Sequence, residues 1–186
     1  MYYHCSPVSG LKTLNPGMLV SFGKPRGVYL TTLVPMALMY GIRNFEYTYG
    51  YTKEGQIYLD EYFPNALEIL YRGKSASLYI CRPESVHTTR IPNEAVSDSP
   101  VAVVDEIFIP DVLEALLEQE RMGNLPIRRY AQLSEKMHDW IRSVEADTIR
   151  EKNLTEKQSP EADYYRIHYP DSWAAVMAEN GESLQV

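Results

Sequence analysis

Cysteine is scarce in this sequence, which has only Cys5 and Cys81 among its 186 residues. No CxxC pair and no cysteine–histidine spacing of the kind that holds zinc occurs, so we expect no structural metal site. Two cysteines would allow one disulfide, but so small a number is more typical of a reduced cytosolic protein. The cysteine content therefore favours a cytoplasmic location.

Long apolar runs and clusters of positive charge are also absent. No apolar run approaches the 18 residues that a membrane span needs. The first residues, Met1 to His4, lack the basic and apolar parts of a signal peptide. The net charge is −7 and no cluster of four or more Lys/Arg occurs, whereas nucleic-acid binders usually present a basic face. We therefore expect a soluble, intracellular protein with no membrane partner, and nucleic acid is disfavoured as a partner.

Several familiar catalytic motifs are missing as well. The chain has no GxGxxG, P-loop, HExxH or GxSxG pattern. His87, the pair His138–Asp139 and His168 stand in no recognisable catalytic arrangement. Cys5 has one adjacent histidine and no visible third partner, which argues against a cysteine-dependent enzyme.

The sequence divides into two regions of different pattern, and together they predict an α+β protein. Residues 1–110 combine short strands, turns and one short helix, and residues 111–186 have helical periodicity. We predict that residues 111–186 form a helical C-terminal extension that packs on the core. The alternative, in which its apolar stripes dock on a second copy, leaves a homodimer open.

The predicted elements of the first region follow from turn and strand signals. A turn at Lys24–Gly27 leads into a strand at Val28, and a helix then runs to about Tyr40. The segment from Ala66 to Tyr71 is β-prone, but the stretch from Tyr62 to Leu70 fits a short helix equally well. The most loop-like part is the polar stretch of residues 83–100. The other predicted strands are residues 1–6, 47–51, 56–62, 77–81 and 101–109.

The second region contains three helical candidates. Val112, Leu113, Leu116 and Leu117 have the spacing of one helix face. A second apolar stripe runs from Tyr130 to Val144. A polar linker at residues 152–162 separates it from a third candidate at residues 164–177, which Pro170 interrupts.

Three segments of the first region carry candidate chemistry. Tyr3-His4-Cys5-Ser6 ends the opening strand. Gly27-Val28-Tyr29-Leu30-Thr31 leads into the helix that ends with Tyr40. Asp105-Glu106-Ile107-Phe108-Ile109 closes the last strand, where a carboxylate is costly to bury unless it is paired or faces a cleft. The alternative for Glu106 is an edge strand, where a charge prevents unwanted pairing.

In their order, these segments resemble the His-Tyr-Glu branch of the ADP-ribosyltransferase superfamily, which includes diphtheria toxin and the poly-ADP-ribose polymerases. The resemblance covers residues 1–110 and implies an ADP-ribosyltransferase-like fold that takes NAD as its substrate. It implies that His4 and Ser6 bind the adenosine-side ribose and the nicotinamide amide, and that Tyr29 and Tyr40 sandwich the nicotinamide. Glu106 would stabilise the positive charge that grows on the ribose. By this resemblance Glu106, His4 and Tyr29 are the catalytic residues.

The implied reaction transfers ADP-ribose from NAD to an unknown acceptor, either a protein or a small molecule, or hydrolyses NAD. Cys5 departs from the pattern, because the family usually has glycine after the histidine. This departure motivates an alternative, a catalytically inactive module on the same fold that binds NAD, ADP-ribose or a protein. A related RNA 2′-phosphotransferase activity is disfavoured by the acidic composition.

Overall fold

The computed structural model describes residues 1–17 and 26–183 of the chain. Strands and helices are mixed along it, so the predicted α+β class is confirmed. The strands are β1 (Tyr2–Ser6), β2 (Thr13–Leu14), β3 (Val28–Thr31), β4 (Tyr49–Tyr51), β5 (Ile57–Asp60), β6 (Ala76–Arg82), β7 (His87–Thr88), β8 (Glu94–Ser97), β9 (Val101–Ile109) and β10 (Ile127–Arg128). The helices are α1 (Val34–Met39), α2 (Ala66–Tyr71), α3 (Val112–Arg121), α4 (Glu135–Glu151), α5 (Pro160–His168) and α6 (Pro170–Ser183). Of the predicted turn at Lys24–Gly27, the first two residues lie outside the described part.

The chain divides into two compact units. The first consists of Met1–Asp60 and Leu67–Ile127, and the second of Glu61–Ala66 and Arg128–Val186. The sequence predicted a division at residue 110, but the first unit extends to Ile127. The reason is helix α3, whose apolar face is buried in the core of the first unit.

The first unit is built on two sheets. The larger has seven strands in the order β2-β9-β6-β1-β3-β8-β7, and each pair is antiparallel. The smaller sheet has the order β10-β5-β4. Side chains alternate across the large sheet, so neighbouring residues of β6 enter different cores. Leu78 lies in a cluster with α1 and α3, and Tyr79 lies in a second cluster with Val28, Leu30 and Val101.

Two short helices of the first unit follow from local signals. In α1, Pro35 stands in the first turn, where its missing N–H costs nothing. The hydroxyl of Thr31 accepts a hydrogen bond from the Leu33 amide at 3.1 Å and turns the chain from β3 into α1. The ambiguous segment before Tyr71 is helical from Ala66, which answers the question that the sequence left open.

Helix α3 begins where its sequence predicts. Asp111 is the N-cap and accepts hydrogen bonds from the amides of Leu113 and Glu114. Val112, Leu113 and Leu116 are at most 2% exposed, whereas Glu114 is exposed. This helix is therefore an integral part of the first core.

The second unit contains α4, α5 and α6. Ser134 caps α4 by accepting from the Met137 amide, so this helix starts five residues after Tyr130. Ser159 caps α5 and Pro160 fills its first position, so α5 starts inside the predicted linker. The predicted interruption at Pro170 is confirmed, because α6 starts there. Within residues 1–17 and 26–183, no helix has the length and apolar character to cross a membrane.

Candidate functional site

A cavity of about 230 Å³ lies in the first unit beside the place where β1 and β3 meet. These two strands pair at one position, Tyr3 opposite Thr31, whereas β1 and β6 pair at five. The short pairing leaves the ends of β1 and β3 free to line a cavity. Four of the residues predicted for the site line it together: His4, Ser6, Tyr29 and Tyr40.

His4 joins the two strands through its ring. Its Nδ1 lies 3.0 Å from the carbonyl oxygen of Tyr29. A carbonyl oxygen can only accept, so Nδ1 carries a proton and donates it. Burial lowers the pKa of His4, although the hydrogen bond to Tyr29 opposes the change. At neutral pH the ring is therefore neutral, and its Nε2 is an acceptor for a ligand hydroxyl.

The lowered pKa of His4 predicts a loss of stability in acid. In the unfolded chain a histidine has a pKa of about 6.5, so as the pH falls below that value the unfolded state binds a proton that the folded state does not. We expect the free energy of unfolding to fall as the pH is lowered through this window, and to fall less in His4→Gln. Urea unfolding of both proteins at about pH 7.5 and about pH 5 measures the difference. Burial also lowers the pKa of His168. Because both proteins contain His168, its contribution cancels when their pH dependences are compared. Equal pH dependence in the two proteins would contradict the assignment.

Tyr40 is held by neighbouring tyrosines. Its ring centroid lies 4.3 Å from that of Tyr47, and its hydroxyl lies 3.1 Å from the hydroxyl of Tyr49. Burial, then the proximity of Tyr49, and to a lesser extent the charge of Glu94 raise the pKa of Tyr40. Tyr40 is therefore a neutral, fixed ring at the cavity wall, suited to stacking against a flat ligand.

A fifth residue, Glu94, brings a carboxylate to the same cavity. It is the first residue of β8, stands opposite Thr31 of β3, and is 6% exposed. Its Oε1 accepts a hydrogen bond from the Thr89 hydroxyl at 2.8 Å. Burial first, and then the charge of Glu94, raise the pKa of Tyr29. The cavity thus combines a neutral histidine and a carboxylate with four tyrosines, Tyr3, Tyr29, Tyr40 and Tyr47.

The turn before β8 positions Glu94. The Glu94 amide donates to the carbonyl oxygen of Ile91 at 3.2 Å, and Asn93 has a φ of 62°. A turn of this kind with Pro92 and then Asn93 at its centre is of type II, in which the second central residue has positive φ. The hydroxyl of Tyr51 donates to the Pro92 carbonyl at 2.7 Å and fixes the turn further.

Sequence reasoning missed Glu94 because the polar stretch of residues 83–100 reads as a loop. Within it, Glu94–Ser97 forms a strand in which all four residues are buried. The signal that could have found it is the turn sequence Ile-Pro-Asn-Glu, which is followed closely by the β-branched residue Val96. A buried carboxylate at the start of such a strand is a candidate site residue.

Glu106 is not among the residues that line this cavity. It lies on β9, opposite Tyr79 of β6, and β6 separates β9 from β1 in the sheet. Its Oε1 accepts a hydrogen bond from the Gly10 amide at 2.9 Å and lies 3.4 Å from the Tyr79 hydroxyl, which donates to the Val8 carbonyl. These bonds, first that of Gly10, lower the pKa of Glu106. In this position the carboxylate anchors the loop after β1.

Cys5, which stands where the family that the chain resembles usually has glycine, lines the same cavity as His4 and Ser6 and is 4% exposed. A Cβ atom placed on Gly41 would lie 2.7 Å from Cys5 Sγ, so the thiol occupies the space beside that glycine. Burial raises the pKa of Cys5 to about 12, so it is a neutral thiol at physiological pH. This disfavours Cys5 as a nucleophile, since the thiolate is the reactive form.

A second cavity, of about 290 Å³, is also lined by His4 and Tyr29. Leu11, Thr13 and Asn15 also line it. Among the described residues, no group of three or more His, Cys, Asp or Glu side chains could hold a metal ion.

In comparisons with known proteins, no protein-family model matches the chain, and no curated protein matches it.

Proposed function

We propose that the chain binds NAD in the cavity beside β1 and β3 and transfers its ADP-ribose to an acceptor or to water. One observation carries this proposal: His4, Ser6, Tyr29 and Tyr40 line a single cavity with the buried carboxylate of Glu94. The first four are the residues to which the family resemblance assigns the binding of NAD. Their proximity in space supports the proposal.

The proposed reaction breaks the bond between the nicotinamide nitrogen and C1′ of the ribose. The bonding electrons leave with neutral nicotinamide, so positive charge develops on the ribose. An acceptor oxygen or nitrogen, or water, then attacks C1′ and releases a proton. A carboxylate near the ribose stabilises the developing charge, most strongly where water is excluded.

In this proposal Glu94, rather than Glu106, supplies that carboxylate. Tyr29 and Tyr40 hold the nicotinamide ring, and Ser6 binds its amide. His4 accepts a hydrogen bond from a ribose hydroxyl through Nε2, since Nδ1 is used by the Tyr29 carbonyl. These roles need His4 and the tyrosines to be uncharged, and burial favours the uncharged state of each of these side chains.

NAD is expected to stabilise the folded chain. A ligand at about 100 times its Kd adds about 2.7 kcal/mol to the free energy of unfolding. Calorimetry gives the Kd, and urea unfolding with and without NAD gives the stabilisation. We expect the effect in wild type and in His87→Ala, whose histidine is exposed on β7, and its loss in His4→Ala.

The outcomes separate the alternatives. Stabilisation of wild type with no release of nicotinamide would identify an inactive binding module on this fold. Equal stabilisation of wild type and His4→Ala would place NAD elsewhere. No stabilisation of wild type would remove the proposal.

We also propose a cytoplasmic location. Cys5 and Cys81 are both buried free thiols on separate strands, which supports a protein that works in a reducing compartment. NAD as the substrate is consistent with this location.

A further inference from the structure

We propose that Arg43 binds a phosphate group of the ligand, so that the cavity selects phosphate-bearing molecules, with the diphosphate of NAD as the intended one. This inference rests on the proposed function and names the group that recognises the charged part of its substrate. Arg43 follows Ile42, which is buried near the end of α1, and it lines the same cavity as Tyr40 and Glu94.

The charges of the lining residues favour a phosphate beside Arg43. With His4 neutral, Arg43 is the cation among the lining residues and Glu94 is the anion. In NAD the negative charge resides on the diphosphate, while the nicotinamide ring is positive. A carboxylate attracts the nicotinamide–ribose end and repels phosphate, and a guanidinium does the reverse. The two side chains therefore favour one orientation of the ligand.

Among the residues that the structure describes, Arg43 has no partner. Its guanidinium makes no hydrogen bond or ion pair with any part of the chain that the structure describes. Several other arginines of this acidic protein pair with carboxylates, among them Arg72 with Glu68, Arg121 with Glu118, Arg150 with Glu179 and Arg166 with Asp163. Arg82 and Arg90 also have no partner among the described residues, but they do not line the cavity. A cation that lines a cavity and is left without a carboxylate is available to a ligand.

Hydrogen bonds fix the backbone on both sides of Arg43. The Tyr47 hydroxyl donates to the carbonyl of Ile42 at 2.8 Å. The Asn44 side chain accepts from the Phe45 amide and donates to the Glu46 carbonyl, each at 2.8 Å. Because both neighbours are held, only the side chain of Arg43 must be ordered on binding, which lowers the entropic cost.

The chemistry of the guanidinium selects phosphate among anions. Its planar set of donors can make two parallel hydrogen bonds to phosphate oxygens, and arginine stays charged at all relevant pH values. A lysine at this position would supply charge without the paired geometry. The conservative variant Arg43→Lys is therefore expected to retain part of the affinity.

The test compares Arg43→Gln with Lys53→Gln, which removes one positive charge from the exposed turn between β4 and β5. Binding of ADP-ribose, inorganic pyrophosphate and nicotinamide is measured by calorimetry for each protein. We expect Arg43→Gln to weaken the binding of ADP-ribose and pyrophosphate by roughly 10- to 100-fold and to leave the affinity for nicotinamide unchanged. The affinity of Arg43→Lys for these two ligands should lie between those of wild type and Arg43→Gln, and the affinity of Lys53→Gln should equal that of wild type. The circular dichroism of each variant checks that it is folded.

Each outcome decides the proposal. An unchanged affinity of Arg43→Gln for ADP-ribose overturns it, and so does an equal loss for nicotinamide, which would indicate a packing role. Wild type that binds neither ADP-ribose nor pyrophosphate overturns it too. If wild type binds pyrophosphate through Arg43 but neither binds nor cleaves NAD, the phosphate site stands and the proposed function fails.

Discussion

Glu94→Gln is expected to lower the rate of nicotinamide release from NAD by about 100-fold or more, the usual effect of removing one electrostatic group from a transition state. The substitution removes the negative charge and keeps the shape. The amide oxygen of glutamine can still accept the hydrogen bond from the Thr89 hydroxyl, so the turn before β8 should remain in place. Binding of NAD should change less than turnover, because the positive charge on the ribose develops fully only in the transition state.

The matched control is Glu106→Gln, the same change in the carboxylate that the sequence favoured. Since Glu106 binds the Gly10 amide and does not line the cavity, we expect turnover close to wild type. Single-turnover measurements of nicotinamide release, with the unfolding free energy of each variant, give the comparison. If Glu106→Gln loses turnover and Glu94→Gln keeps it, the sequence assignment is right and the geometric one is wrong. If both keep it, neither carboxylate is catalytic.

Glu94 and Glu106 show which parts of the site could be predicted from the sequence and which could not. Turn and apolar signals predicted the strands of His4 and Tyr29, and the family resemblance then assigned both side chains to the site. The choice between Glu94 and Glu106 depends on strand order, since a carboxylate contributes to the cavity only if its strand lies beside β3. Strand order arises from long-range pairing, which short sequence patterns do not encode.

The same limit explains the division of the chain. Helix α3 was predicted from the spacing of its apolar residues, which is a local feature. Which unit its apolar face joins is not local, because the partners of Leu116 lie far away in sequence, among them Leu78 and Met36. Local signals thus predicted the helix but could not predict which core its apolar face joins.

Leu116→Ala is expected to destabilise the first unit by about 2–5 kcal/mol, the usual cost of replacing a buried leucine with alanine. Leu116 is 0% exposed and lies in the cluster formed by α1, α3 and the large sheet. The loss would be a large share of the roughly 5–15 kcal/mol that typically stabilises a folded domain. Amide hydrogen exchange in β6 measures it directly, because that strand is at the centre of the first unit.

The control for this change is Glu114→Ala on the exposed face of the same helix, which should alter the unfolding free energy by no more than about 0.5 kcal/mol. Trp140 and Trp173 both lie in the second unit, so tryptophan fluorescence follows that unit separately from β6. Unchanged protection of β6 in Leu116→Ala would mean that α3 contributes little to the first core. A chain ending at residue 110 would then keep its sheet, as the sequence-derived boundary implies. Loss of protection would instead mean that the first unit needs the chain as far as Ile127 to keep its cavity, because α1 lines the cavity and α3 packs against α1.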